Sequence, residues 1–190
     1  YEPEFDQMLF YLPLTGSTFK KVYYDELLGR AVSKFIQAED LIVPYTASSL
    51  EDADAIVHVI KISENDLRKQ QVGGFYRDIE LGDPPINENQ VKAKQLELEG
   101  VTANDQQRES MYTLLEVHTD LDLEDYPDVN ENEEPTGIKL PYIITIDETS
   151  QQVLSIRRNY EPEDPLKKKK NYFVQFKFLP GTGFYGFGLI

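Results

Sequence analysis

The side chains that could do chemistry are few in kind. The chain has two histidines, His58 and His118, and no cysteine. Thiolate nucleophiles, thiolate metal sites and disulfides are therefore excluded. A two-histidine metal site needs both imidazoles and a carboxylate in one place, and no HExxH-type spacing supplies that. Each histidine sits in a strand pattern. His58 reads as a core or sheet-face residue. His118 alternates with Glu116 and Asp120 and reads as part of a solvated face. Among the acids, Asp120, Asp122, Glu124 and Glu131 fall at positions 1, 3, 5 and 12 of an EF-hand loop. The sixth position, which needs glycine for its sharp turn, is Asp125. Pro127 stiffens the stretch and its left flank reads as strand. A solvated acidic loop is the better reading. The one basic run, Lys167–Lys170, could touch phosphates. It follows Glu161, Glu163 and Asp164, which partly neutralise it, and precedes an aromatic strand. Guarding that strand against edge pairing is the favoured role. The stretches GTGFYG and VGGF are glycine-rich, but neither is a phosphate loop, and LTGS lacks nucleophile-elbow spacing. With 34 acidic residues, no carboxylate pair stands out for glycoside hydrolysis. No residue is assigned a catalytic, cofactor-binding or metal-binding role.

The totals agree. Thirty-four acids against 19 bases leave a formal charge of −15 over 190 residues. A field of that sign repels nucleic acid and anionic membranes and suits cationic partners. Hydrophobic residues make up 40% of the chain and aromatics 12%, a globular composition rich in tyrosine and phenylalanine. No apolar run approaches the length of about 18 residues that a membrane span needs.

The elements that must position these groups follow from periodicity and turn chemistry. Phe5, Met8, Leu9 and Leu12 predict a helix that stops near Pro13. Thr18–Gln37 reads as a β-hairpin reversing at ELLGR, with Gly29 at the turn. Glu39–Tyr45 is a short strand ended by Pro44. Ala55–Ile62 is apolar on both faces and predicts a central strand. Ser63–Gly74 is the clearest helix, capped by Ser63 and closed by Gly73 or Gly74. Asn87–Val101 predicts a second surface helix. Met111–Leu123 reads as a strand, and Glu124–Ile138 as a long acidic loop. Tyr142–Asp147 and Gln152–Arg158 form a hairpin around Glu148–Gln151. Asn171–Gly181 is a last long strand. No solenoid repeat is present. The fold class is α+β and β-rich, a largely antiparallel sheet with two or three helices packed on it. The chain reads as one domain over 1–190, with sub-lobes 1–80 and 110–190 joined by an acidic helix and loop region.

Both ends invite a question. The chain opens at Tyr1 and finishes on the apolar, glycine-broken FLPGTGFYGFGLI, and both ends look like edges of an excised piece. The run LTGSTFKKVYYDELLGRAVSKFIQAEDLIVPY resembles the portal proteins of short-tailed, double-stranded DNA phages. HVIKISENDLRKQQVGGFYRDIEL is similar to that family's strand, helix and Gly-Phe-Tyr-Arg exit. FKFLPGTGFYGFGLI resembles its aromatic-glycine stretch. The similarity is thinnest over residues 80 to 138, and the order and spacing of the motifs carry it.

The resemblance implies a structural protein of the virion rather than an enzyme. It would be one subunit of a twelve-membered head–tail connector ring at a capsid vertex, assembled in the host cytoplasm. Terminase, coat or scaffold and tail-adaptor proteins would be its partners. Double-stranded DNA would pass through during packaging and ejection without specific binding, and no membrane or cofactor would be involved. This chain would be the outward, wing-like region, with the acidic loop Asp120–Glu134 projecting at the periphery to keep isolated subunits apart. The alternative is an acidic β-rich carbohydrate-binding or glycoside-hydrolase module, with tyrosine and phenylalanine stacking on sugar and two carboxylates about 5–10 Å apart.

Overall fold

The computed structural model describes residues 2–25, 29–83, 111–130 and 132–189. The helix expected over Asn87–Val101 lies outside them, as does Glu131. The fold is α+β and β-rich, built on two antiparallel sheets. Helix α1 covers Glu2–Thr15. Strands β1 (Ser17–Asp25) and β2 (Arg30–Ile36) follow, then a 3-10 turn at Ala38–Asp40. Strands β3 (Leu41–Ile42) and β4 (Ala55–Ser63) lead into helix α2 (Glu64–Val72). Strands β5 (Met111–Leu121), β6 (Leu140–Asp147), β7 (Val153–Arg158) and β8 (Phe173–Lys177) complete the described elements. One sheet has the order β2-β1-β8 and the other β3-β4-β5-β6-β7.

The chain divides into two compact units made of interleaved stretches. One holds residues 1–58, 117–143 and 157–190, the other 59–116 and 144–156. Strands β4 to β7 contribute residues to both, so the division does not follow sequence order.

In the first unit, β1 and β2 pair in register from Phe19↔Ile36 to Asp25↔Arg30. The local signals that predict this hairpin are the β-branched and aromatic run and Gly29, which sits at φ 59° in the turn. On the other side of β1 lies β8, with Phe19 opposite Gln175 and Lys21 opposite Phe173. The last strand therefore leaves the hairpin-linked series β5–β7 and joins the opening hairpin. It is also shorter than predicted, covering Phe173–Lys177 of the expected Asn171–Gly181. Helix α1 runs past Pro13 to Thr15, two residues beyond the expected stop. Beyond the proline the last turn is closed by other donors: Thr15 Oγ1 donates to Tyr11 O (3.0 Å) and Gly16 N to Leu12 O (2.9 Å). The main core gathers Phe19, Ile36, Leu41, Ile56, Phe173 and Phe184. A smaller cluster joins Leu140, Tyr142 and Tyr160.

The segment after β8 closes this core. Leu179 and Phe187 form an isolated bridge, and the loop between them sends Phe184 onto Phe19 (centroids 5.7 Å apart, planes 15° apart). Gly186 N donates to Ser17 Oγ (2.7 Å) and Leu189 N to Pro13 O (2.8 Å). Backbone lies on backbone here. A Cβ on Gly186 would sit 2.5 Å from Gly16 O, and one on Gly188 would sit 2.5 Å from Leu14 O. Glycine is required at this corner because no side chain fits.

In the second unit, Ser63 caps α2 by accepting from Asp66 N (3.2 Å), and Gly74 takes φ 74° beyond the helix end. Leu67 packs with Ile62, Tyr76, Tyr112, Leu114 and Leu154. Buried Gln71 donates to Arg77 O (3.2 Å) and Ile79 O (2.9 Å), holding the chain that leaves the helix. Arg77 N donates to Leu154 O (2.8 Å), which seats that chain on β7. Asp147 closes the β6–β7 turn: its Oδ2 accepts from Ser150 N and Ser150 Oγ, both at 2.7 Å.

Candidate functional site

The two histidines meet at one aromatic side chain. In the first unit His58 and His118 both approach Phe173 edge-on, with centroids 5.9 and 5.0 Å away, and His118 also meets Tyr172 at 5.7 Å. His58 is half-buried, as a sheet-face residue should be. The solvated face expected for His118 is not found. His118 is 8% exposed and Glu116 5%, and the His118 ring is packed against Tyr172 and Phe173. Strand alternation marks which residues share a face. It does not say whether that face meets water.

No group of three or more His, Asp or Glu side chains among the described residues is arranged to hold a metal ion. Asp120 belongs to strand β5, so it is committed to a ladder rather than to the start of a binding loop.

The acidic loop has its own internal structure. Val129 and Pro135 form a bridge, and Asn130 Oδ1 accepts from Asn132 N (2.9 Å) and Glu134 N (3.0 Å). Asp128 turns inward. It accepts from Thr136 Oγ1 (2.6 Å) and forms an ion pair with Lys167. The Lys167 ammonium, helped by the Thr136 hydroxyl, holds the Asp128 carboxyl below the usual carboxylate range. Glu124, Asp125, Glu133 and Glu134 remain exposed.

The lysine run is tied to its own chain. Besides Lys167, Lys170 pairs with Glu161 (2.5 Å), and Lys169 Nζ donates to Ala53 O (3.0 Å). The Lys168 backbone N–H donates to Asp164 (3.2 Å). Of the carboxylates that precede the run, Glu161 meets an ammonium group and Asp164 a backbone N–H, so Lys167 and Lys170 are the lysines of the run whose charge is met by an acid. It leads into β8, an edge strand of the three-stranded sheet.

Beside this run the first unit carries a small cleft. Asp54 and Asp120 stand at it, with Asn159, His118, Tyr172 and Phe173 among its lining. Thr119 Oγ1 donates to Asp54 O (3.2 Å), tying β5 to the entry of β4. Sequence reasoning missed this grouping. Its members come from four distant stretches, and no spacing links them. No helix among the described residues is long and apolar enough to cross a membrane. Compared with known proteins, the chain matches no family model and no curated sequence.

Proposed function

We propose that the chain is a structural module of a phage portal ring, the outward wing-like region of one subunit in a twelve-membered head–tail connector. The reading rests on the ordered motifs LTGSTFKKVYYDELLGR, HVIKISENDLRKQQVGGFYRDIEL and FKFLPGTGFYGFGLI. One structural observation supports it: the first and last of these, some 150 residues apart in sequence, form a single packed corner. Phe19 of the first stacks on Phe184 of the last, and the glycines of both lie backbone to backbone. Motifs that share one packing unit are kept in order and spacing by that packing, which suits a scaffold whose product is shape.

The surface chemistry agrees with a conduit that DNA crosses without being held. The net charge is −15, and three lysines of the only basic run bond to oxygens of their own chain. Each neutralised phosphate would add affinity and slow a moving duplex. The reading assigns no catalytic residue and no cofactor. Terminase, coat or scaffold, and tail-adaptor proteins are its partners, with the capsid vertex its location.

Electron microscopy of the full-length protein that carries this chain tests the proposal. Twelvefold rings are expected. A monodisperse monomer that turns over a substrate would overturn it.

A further inference from the structure

We propose that the free edge of β2 receives an extended acidic segment of a partner protein, which joins the three-stranded sheet as a fourth strand. The inference holds with or without the ring reading. β2 lies at the edge of the order β2-β1-β8. Opposite residues of an antiparallel pair either exchange both backbone bonds or turn both groups away from each other. Val22, opposite Ser33, spends its N–H on Tyr172 O (2.7 Å), on the far side of β1. Ser33 therefore turns its own N–H and C=O to the outer edge, and Ala31 and Phe35 share that parity.

Helix α1 closes one end of this edge. Glu4 Oε2 accepts from Phe35 N (2.6 Å), and the Tyr11 ring stacks on that of Phe35 at 5.7 Å. The N–H groups of Ala31 and Ser33 meet no such acceptor among the described residues. Ala31 is exposed and Ser33 half-buried. Backbone donors and acceptors left unused along an edge are a template for a further strand.

The side chains along the edge select that strand. Arg30 and Lys34 are exposed and form no ion pair among the described residues. From Ser17 to Ile36 the sequence carries Lys20, Lys21, Arg30 and Lys34 against Asp25 and Glu26, within a chain of net charge −15. The edge is thus locally positive on an acidic protein, and a carboxylate-bearing segment complements it. A second copy of the chain does not. The antiparallel register that uses both open residues sets Ala31 against Ser33, and so Arg30 of each copy against Lys34 of the other. Like charges directly opposite destabilise paired strands, and basic residues guard an edge in this way. The charges that turn away a copy favour a strand with carboxylates at the same two positions.

NMR titration of the isotope-labelled chain with acetyl-Glu-Thr-Val-Thr-Glu-amide tests the inference. Laid antiparallel, this peptide sets glutamates against Arg30 and Lys34 and threonine backbone against Ala31 and Ser33. The expected result is a saturable shift and slowed hydrogen exchange of the Ala31 and Ser33 amides, with a Kd of about 1 mM. The analogue acetyl-Lys-Thr-Val-Thr-Lys-amide should bind about tenfold more weakly. The glutamate peptide N-methylated at both threonines keeps its charge but loses two donors, and should also lose about tenfold. Four results would each overturn the proposal: no saturable shift at Ala31 and Ser33, equal binding of the lysine analogue, equal binding of the N-methylated peptide, or shifts of the same amides with protein concentration alone, which would seat a second copy on the edge.

Discussion

Two regions of this molecule reverse the usual expectation in opposite directions. Strands β5 and β6 bury polar side chains: Thr113, Glu116, His118, Thr145 and Asp147 are all under 9% exposed. Helix α1 and the segment after β8 expose apolar ones: Phe10 is 67% exposed, Phe187 62% and Leu189 71%. The first region is covered by side chains packed on it, with Tyr172 and Phe173 against His118 and with Leu67, Tyr76 and Leu154 clustered around Tyr112 and Leu114. The second is open because α1 rests on the β1–β2 hairpin through a narrow stripe, of which only Met8 is fully buried. Neighbours decide burial, and residue type only sets what that burial costs or returns.

The contrast can be broken at its strongest point first. Phe19→Ala removes a fully buried ring that stacks on Phe184, and should cost about 3–5 kcal/mol in urea unfolding. A loss below about 1 kcal/mol would mean that the last segment does not close the core. Gly16→Ala comes next. Gly16 sits at φ 77°, and a Cβ there would overlap the backbone at Gly186. The expected loss is about 2–3 kcal/mol, whereas the same change at Gly183, which has open space around it, should be close to neutral.

Acid sharpens the comparison on the polar side. Lys167 lowers the Asp128 pKa, so the contribution of this pair is complete above the ordinary carboxylate range and is lost as pH falls through the lowered folded value. Asp128→Asn should reduce stability at neutral pH and flatten the acid limb of a stability–pH curve. Parallel curves for the two proteins would remove Asp128 from the account. The smallest effect belongs to Phe10→Ser. This is a drastic change in residue type at an exposed site, and it should move stability by less than about 0.5 kcal/mol. A loss of several times that size would show that the open face of α1 is covered in solution.

Much of the secondary structure was legible because its causes are local. Ser63 caps α2 and Gly74 turns the chain beyond it, as the spacing suggests. The β1–β2 and β6–β7 hairpins follow from alternating runs around short turns, and β4 from an apolar run bounded by polar ones. Two features of the fold were not legible. β8 pairs with β1 across about 150 residues, and nothing in the FVQFK stretch names that partner. His118 reads as surface because its sequence neighbours are acidic, yet it is packed against Tyr172 and Phe173. The cleft was invisible for a similar reason: Asp54, Asp120 and Asn159 have nothing in common along the chain.

The sequence by itself determined the α+β, β-rich class, the two hairpins, the capped helix and the acid excess. Each of these depends on interactions within a few residues or on a simple sum over the chain. Only the tertiary structure decided which strand β8 joins, which acids turn inward to meet lysine, and which polar atoms are left buried beside an open cleft. Those outcomes depend on contacts between distant stretches, where many pairings are compatible with the same local pattern and packing selects among them.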